Sequence, residues 1–306
     1  MSDGKAHWRA GPQESSDEGI IRSPYDPEAR TGKKRETTWL GYKVHLTETC
    51  DVETTEQAQE TLLPQLITDV QTTVANMQDV EMTHVIQENL AQHDLLPDEQ
   101  IVDTGYVAAE LLVKSQQQYA IKLVGPVLSD NSWQAKAGKG FDVAHFQFDW
   151  QHQQASCPQG QMSVRWSPAG ERMEVVFARE VCAACPMRSD CTKSSTTGRV
   201  VHVRPQAAHE ALQARRQEQE TPAFRQAYHT RAGIEGTLSQ AVRGMGIRRA
   251  RYDGLHKTQV QHVITAVAIN LVRIDAVLTQ TPRGNTRHSN FARLAWHPAL
   301  QDSVAA

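Results

Sequence analysis

The chain has 306 residues, 39% of them hydrophobic, and a formal net charge of −3. That is enough to bury a core in one main domain plus an insertion, and the near-balanced charge does not by itself announce a nucleic-acid binder. The longest apolar run, 263–272, is interrupted by Thr265 and Asn270, and no apolar signal region follows Met-Ser-Asp-Gly-Lys; the expectation is a soluble, cytoplasmic protein with no membrane partner.

The charge is unevenly spread. Residues 44–113 hold no Lys or Arg against about a dozen Asp and Glu. Between 225 and 257 the balance reverses, with Arg225, Arg231, Arg243, Arg248, Arg249, Arg251 and Lys257 against Glu235 and Asp253. A basic stretch of this kind can lie along a polyanion, although charge runs are more often solvated faces.

Residues 1–36 are polar and rich in Gly, Ser and Pro, and read as a linker or the remnant of a lost N-terminal part. Residues 37–132 carry the first α/β pattern. Its first strand is 37–47, where Tyr42, Val44 and Leu46 alternate with Lys43 and His45. A second strand is expected over 62–70, a helix over 79–91, a third strand over 101–103, a helix over 108–115 and a fourth strand over 119–124. Such an order predicts a parallel crossover through the acidic helix 79–91. Residues 133–205 change character to short alternating runs with clustered cysteines, a β-rich insertion. Residues 206–280 read as three helices, 207–218, 222–245 and 255–278. In the last of these Leu255, Val260, Val263, Ile264, Val267, Leu271 and Ile274 form a stripe expected to pack on the sheet. Residues 281–306 read as a flexible tail.

Two stretches could carry chemistry. In Gln100-Ile-Val-Asp-Thr-Gly-Tyr106 an apolar run ends in Asp103, the lip-of-sheet position where open α/β folds place active sites; a strand-end Asp is equally the ordinary cap of the next helix. In Tyr228-His-Thr-Arg-Ala-Gly-Ile-Glu235 the spacing puts Tyr228, Arg231 and Glu235 on one helix face. A plain ion pair is the simplest account, but Gly233 and Gly236 flank the Glu at about 1 kcal/mol each relative to Ala, as if a partner approached the backbone there. The helix then enters Arg243-Gly-Met-Gly-Ile-Arg-Arg-Ala-Arg251, a Gly-punctuated basic stretch suited to phosphates. Among the five cysteines, Cys50 stands alone while Cys157, Cys182, Cys185 and Cys191 cluster around one Cys-x2-Cys. A tetrahedral thiolate site with structural Zn²⁺ is expected, with an Fe–S cluster or four reduced thiols as alternatives. His45, His145, His256 and His262 show no ligand spacing.

Asp-Thr-Gly-Tyr after a strand, with a distant helix carrying Tyr-x2-Arg-x3-Glu, resembles the DDE transposases of bacterial insertion sequences. The Gly41-Tyr-Lys-Val-His45 strand and the glycine-bounded arginine stretch share in the likeness, which covers roughly residues 24–278. It is closest to the branch with a cysteine-containing insertion. The resemblance implies a ribonuclease H-like mixed sheet flanked by helices. It also implies a two-metal site in which carboxylates hold Mg²⁺ or Mn²⁺ for DNA strand cleavage and transfer.

On this resemblance Asp103 is the second acid and Glu235 the third, both catalytic metal ligands, and Tyr228 and Arg231 hold DNA phosphate and orient the Glu. Arg243, Arg248, Arg249 and Arg251 join them as DNA-binding residues. The family's following Lys falls on Val242, with Arg243 one position away. Its partners would be element-end and target DNA and a second copy in a homodimeric synaptic complex, and its setting the nucleoid. The first acid is not evident: Asp3, Asp17 and Asp26 follow no apolar strand, and Asp69 lies on the wrong strand. An N-terminally truncated copy accounts for this, and the alternative function is a non-catalytic remnant that binds DNA or another transposase.

Overall fold

The computed structural model describes residues 21–50 and 64–281. Its elements in order are β1 (Arg30–Lys34), β2 (Thr37–Glu48), β3 (Ile67–Val74), α1 (Asp79–Gln92), β4 (Glu99–Ile101), α2 (Ala109–Tyr119), β5 (Lys122–Val124), α3 (Trp133–Ala137), β6 (Gln147–Asp149), β7 (Gln154–Ser156), β8 (Ser163–Ala169), β9 (Arg172–Phe177), α4 (Arg179–Ala184), α5 (Arg188–Cys191), β10 (Val200–Val203), α6 (Gln206–Glu218), α7 (Pro222–His229), α8 (Ala232–Met245) and α9 (Leu255–Leu278). The chain is mixed α/β, with four small sheets among the described residues.

β1 pairs antiparallel with the first part of β2, Arg30 opposite Gly41, and β3 with its second part, Tyr42 opposite Val74. β4 and β5 pair parallel in a separate two-stranded sheet. The parallel crossover therefore runs through α2 and not, as expected, through α1. The second strand starts at Ile67 instead of residue 62: residues 64–66 are outside it, and 62–63 lie outside the described residues. Its pairing follows the alternation that buries Ile67, Asp69 and Thr73. The expected helix 222–245 is two helices. At the break the Thr230 hydroxyl bonds back to the Ala227 carbonyl at 2.7 Å, and Arg231, Gly233 and Ile234 donate to carbonyls three residues back. A tightened turn of that kind bends the axis.

The largest departure is in α9. Val260, Val263, Ile264, Val267, Leu271 and Ile274, expected to pack on the sheet, are exposed, and Leu255 is half-buried. The face toward the sheet carries Thr258, Gln261, His262, Thr265, Ala266 and Ile269, all buried. Polar side chains tolerate this burial because each finds a partner. The Asn270 amide bonds both backbone groups of Ile67, at 2.8 and 2.9 Å. Gln259 donates to the Val70 carbonyl at 2.8 Å, and His262 meets Thr72 at 2.7 Å. Between these pins Ile269 and Ala266 join Ile67, Ala241 and Ile247 in one apolar cluster. By length and composition α9 could also cross a bilayer, but here its polar face is bonded to β3.

A second cluster packs Met82, Ile86 and Leu90 of α1 under Tyr106. A third, around Phe146, Val175, Phe177, Val201 and Val203, is the core of the β6–β10 region, with Cys157, Cys182 and Cys191 against it. His45 joins the two small sheets of the first half. It is 3% exposed and bonds Tyr106 Oη at 2.5 Å and Thr73 Oγ1 at 3.0 Å, linking β2 and β3 to the turn after β4.

Two predictions test this arrangement. Ile269→Ala should cost about 2–5 kcal/mol in denaturant unfolding, whereas Ile264→Ala should change stability by less than about 0.5 kcal/mol; equal costs would contradict the inverted helix. Burial lowers the His45 pKa to about 4. The folded protein therefore resists a proton that the unfolded chain accepts near 6.5, and stability falls as pH drops from about 6.5 toward 4. The loss reaches about 3 kcal/mol. Urea midpoints measured across this window should flatten in His45→Gln.

Candidate functional site

β4 ends one residue before Val102, and Asp103 follows in an extended conformation. Its Oδ1 accepts the Thr104 amide at 2.8 Å, capping the 3-10 turn Thr104–Tyr106. Gly105 brings the backbone close to Asp79: a Cβ there would stand 3.2 Å from Oδ2, and the carboxylate would have to shift slightly. The sequence did not single out Asp79, which lines the same cleft and pairs with Lys43 at 3.0 Å.

From the other side, the break between α7 and α8 presents Arg231. Its Nη2 lies 3.4 Å from Asp103 Oδ2 and its Nη1 3.1 Å from Glu235 Oε1. One guanidinium thus holds carboxylates more than a hundred residues apart in sequence. Arg231 is largely covered, at 23% side-chain exposure, while Asp103 and Glu235 stay open at 53% and 62%. Burial opposes the Arg231 charge, but Tyr228, Glu235 and Asp103 outweigh it and raise its pKa. The Tyr228 ring lies 5.9 Å from that guanidinium and stacks on Phe224. α8 is anchored by Thr237, fully buried, whose hydroxyl meets Glu48 and Arg273, each at 2.5 Å. A Cβ on Gly236 would meet nothing within 4 Å and one on Gly233 would make only ordinary contacts, so the face beside Glu235 is open to a ligand.

Asp103, Arg231 and Glu235 stand at a cleft of about 1810 Å³ bounded by β2, β4, α1, α8 and α9. Arg243 and Arg248 also line it; Arg249 and Arg251 are exposed outside it. The turn carrying 248–251 is held by Gln261 of α9, which donates to the Arg249 carbonyl and accepts the Arg251 amide, both at 2.8 Å. Val242 packs against the cluster around Ile67, and Arg243 beside it is one of several cations lining the cleft. Asp69 does not line the cleft: it is buried beside Asn89 and Gln71, and burial raises its pKa. Asp26 is engaged by the Tyr42 hydroxyl at 2.8 Å and the Gly254 amide at 3.2 Å. Asp3 and Asp17 lie outside the described residues.

The four clustered cysteines line one cavity of about 30 Å³ with Arg188 and Arg199. Burial pushes the Cys191 thiol up to about 11; Arg199 opposes the shift, and Cys182, Cys157 and Cys185 add to it. The Arg199 amide donates to Cys182 Sγ at 3.3 Å, and the Gln134 amide to the Cys191 carbonyl at 2.9 Å. Among the described residues, no three His, Cys, Asp or Glu side chains stand in metal-holding positions, either here or around Asp103 and Glu235. The acid pair is a hard-oxygen donor set with a guanidinium already between its members, which does not by itself fit two divalent cations.

Residues 156–275 match the family described as a transposase DDE domain. The matched segment contains all four clustered cysteines, Tyr228, Arg231, Glu235 and the arginine stretch, while Asp103 lies upstream of it. No curated protein and no solved structure matched the chain. The Tyr-Arg-Glu signature lies inside the match, so residues 156–275 are similar to the DDE domain of transposases.

Proposed function

We propose that the chain works in DNA transposition by gripping DNA through Tyr228, Arg231, Arg243, Arg248, Arg249 and Arg251. Asp103 and Glu235 are then the second and third acids of a metal-dependent strand-transfer site, built on a ribonuclease H-like arrangement, that the described residues leave incomplete. The observation that carries this reading is the shared guanidinium: Arg231 brings Asp103 to Glu235 across the fold. A chance ion pair on one helix would not recruit the end of a distant strand. Mg²⁺ or Mn²⁺ would bind these two carboxylates once a third joined them and a phosphate took up the guanidinium. The second reading, a DNA-binding remnant that does not cleave, is favoured by the placement of Asp26 and Asp69 away from the acid pair. Element-end and target DNA are the partners, a homodimer the synaptic form, and the nucleoid the setting.

Arg248→Ala, Arg249→Ala and Arg251→Ala combined should weaken duplex binding and reduce the slope of log affinity against log salt by about 3. Unchanged affinity in a filter-binding titration would remove the DNA grip. The chain alone should not nick supercoiled plasmid in Mn²⁺; nicking that Glu235→Gln abolishes would instead establish an active enzyme.

We also propose a structural Zn²⁺ held by Cys157, Cys182, Cys185 and Cys191, the soft donor set that ion prefers: the four line one cavity, though they would have to draw together from their present positions to ligate it. One zinc per chain should be found by elemental analysis, and Cys182→Ser should lower it. Zinc content unchanged by that substitution, or no zinc in the parent protein, would count against the site.

A further inference from the structure

β2 changes partner along its length. Residues 42–48 pair with β3, whereas 37–41 pair with β1, Lys34 opposite Thr37 across the two-residue turn Arg35-Glu36. Gly41, at φ 142, stands where the change occurs, in a conformation that glycine reaches without strain. β1 and the first part of β2 therefore form a two-stranded ribbon of their own. The Trp39 indole lies across β1 at Gly32, where a Cβ would come within 2.5 Å of the ring. Beyond that contact every residue from Lys33 to Thr38 is exposed. The tip carries Lys33, Lys34 and Arg35, and among the described residues no carboxylate pairs with them. The root of the ribbon is fixed beside the arginine stretch: Asp26 accepts the Gly254 amide at 3.2 Å and Glu28 the Leu255 amide at 2.6 Å, at the start of α9. The three tip cations line the same cleft as Arg243 and Arg248.

We infer that the β1–β2 ribbon is a second DNA grip, an arm that enters the major groove of a duplex and holds its phosphates through Lys33, Lys34 and Arg35. This rests on the reading above that the chain grips DNA, and adds an element which that reading leaves out. Paired strands stand about 4.8 Å apart; the major groove, about 12 Å wide, admits a two-stranded ribbon, and an undeformed minor groove of about 6 Å does not. From Gly41 to the turn the ribbon extends about 16 Å at about 3.3 Å per residue, against a groove depth of about 8.5 Å. Successive strand residues point to opposite faces, so Lys33 and Lys34 reach opposite walls of the groove, where the two phosphate backbones run. An acidic protein surface would engage one face and leave the cation on the other unpaired. Contacts of this kind position the duplex without reading its sequence.

The test uses the full chain and a duplex of about 30 base pairs in filter binding across a salt series. Lys33→Ala, Lys34→Ala and Arg35→Asn combined remove the charges, and Asn suits the φ of 54 at position 35. The slope of log affinity against log salt should fall by about 3, and by about 6 when Arg248→Ala, Arg249→Ala and Arg251→Ala are added. The parent chain, but not the ribbon variant, should protect guanine N7 from dimethyl sulfate, which attacks from the major groove. An unchanged slope in the ribbon variant overturns the arm, and leaves the DNA reading standing if the arginine substitutions still lower it. A parent chain that binds no duplex overturns both. N7 protection that the ribbon variant retains, or that the parent lacks, overturns the placement in the major groove. Poly-glutamate that competes as well as duplex, charge for charge, overturns the arm too and makes the tip a general polyanion surface.

Discussion

The polar seam between α9 and β3 is the constraint on which the rest of the arrangement depends. Asn270 pairs with both backbone groups of Ile67, and Arg273 reaches the Gln65 carbonyl and Glu48 at 2.6 and 3.1 Å. Hydrogen bonds fix axial position in a way that apolar packing alone does not, because each has one acceptable geometry. Arg273 passes that registration on to Thr237 and so to α8. The first turn of α8 carries Glu235, and its N-terminal break carries Arg231. The position of the acid-bearing helix against β2 and β3 is thus set by side chains on a third element.

This dependence explains which parts of the site were legible in sequence. Asp103 could be read because an apolar run ending in a carboxylate before Thr-Gly-Tyr is a local signal. Arg231 and Glu235 could be read because a four-residue spacing survives the break at Thr230, which sequence reasoning ran through as continuous helix. Asp79 and His45 could not. One is a helix-start acid and the other a strand histidine, and each gains its place in the cleft from Lys43, Gly105 or Tyr106 across the fold. The orientation of α9 was misread for a related reason. Periodicity finds a stripe but does not say which stripe has partners, and here the hydrogen-bonding residues lie on the side that is covered.

The β-rich region with the four cysteines follows different rules from the first half. Its antiparallel pairings join strands consecutive in the chain, β8 to β9 by a tight turn and β9 to β10 across the segment carrying α4 and α5, so its core forms within one stretch of sequence. The sheets of the first half meet mainly through His45, Tyr106, α1 and the distant α8 and α9. The matched transposase segment runs from the cysteines into α9 and so joins a locally formed module to the helices that govern the acid pair.

Arg231 acts as an internal counter-ion, which turns ligand entry into an exchange. A cation arriving alone must compete with a guanidinium already seated between Asp103 and Glu235. Were a phosphate to draw that guanidinium toward itself, Asp103 and Glu235 would lose the same counter-ion together. Anion and cation would then not be independent guests: each would make the other's binding more favourable, by the same factor in both directions.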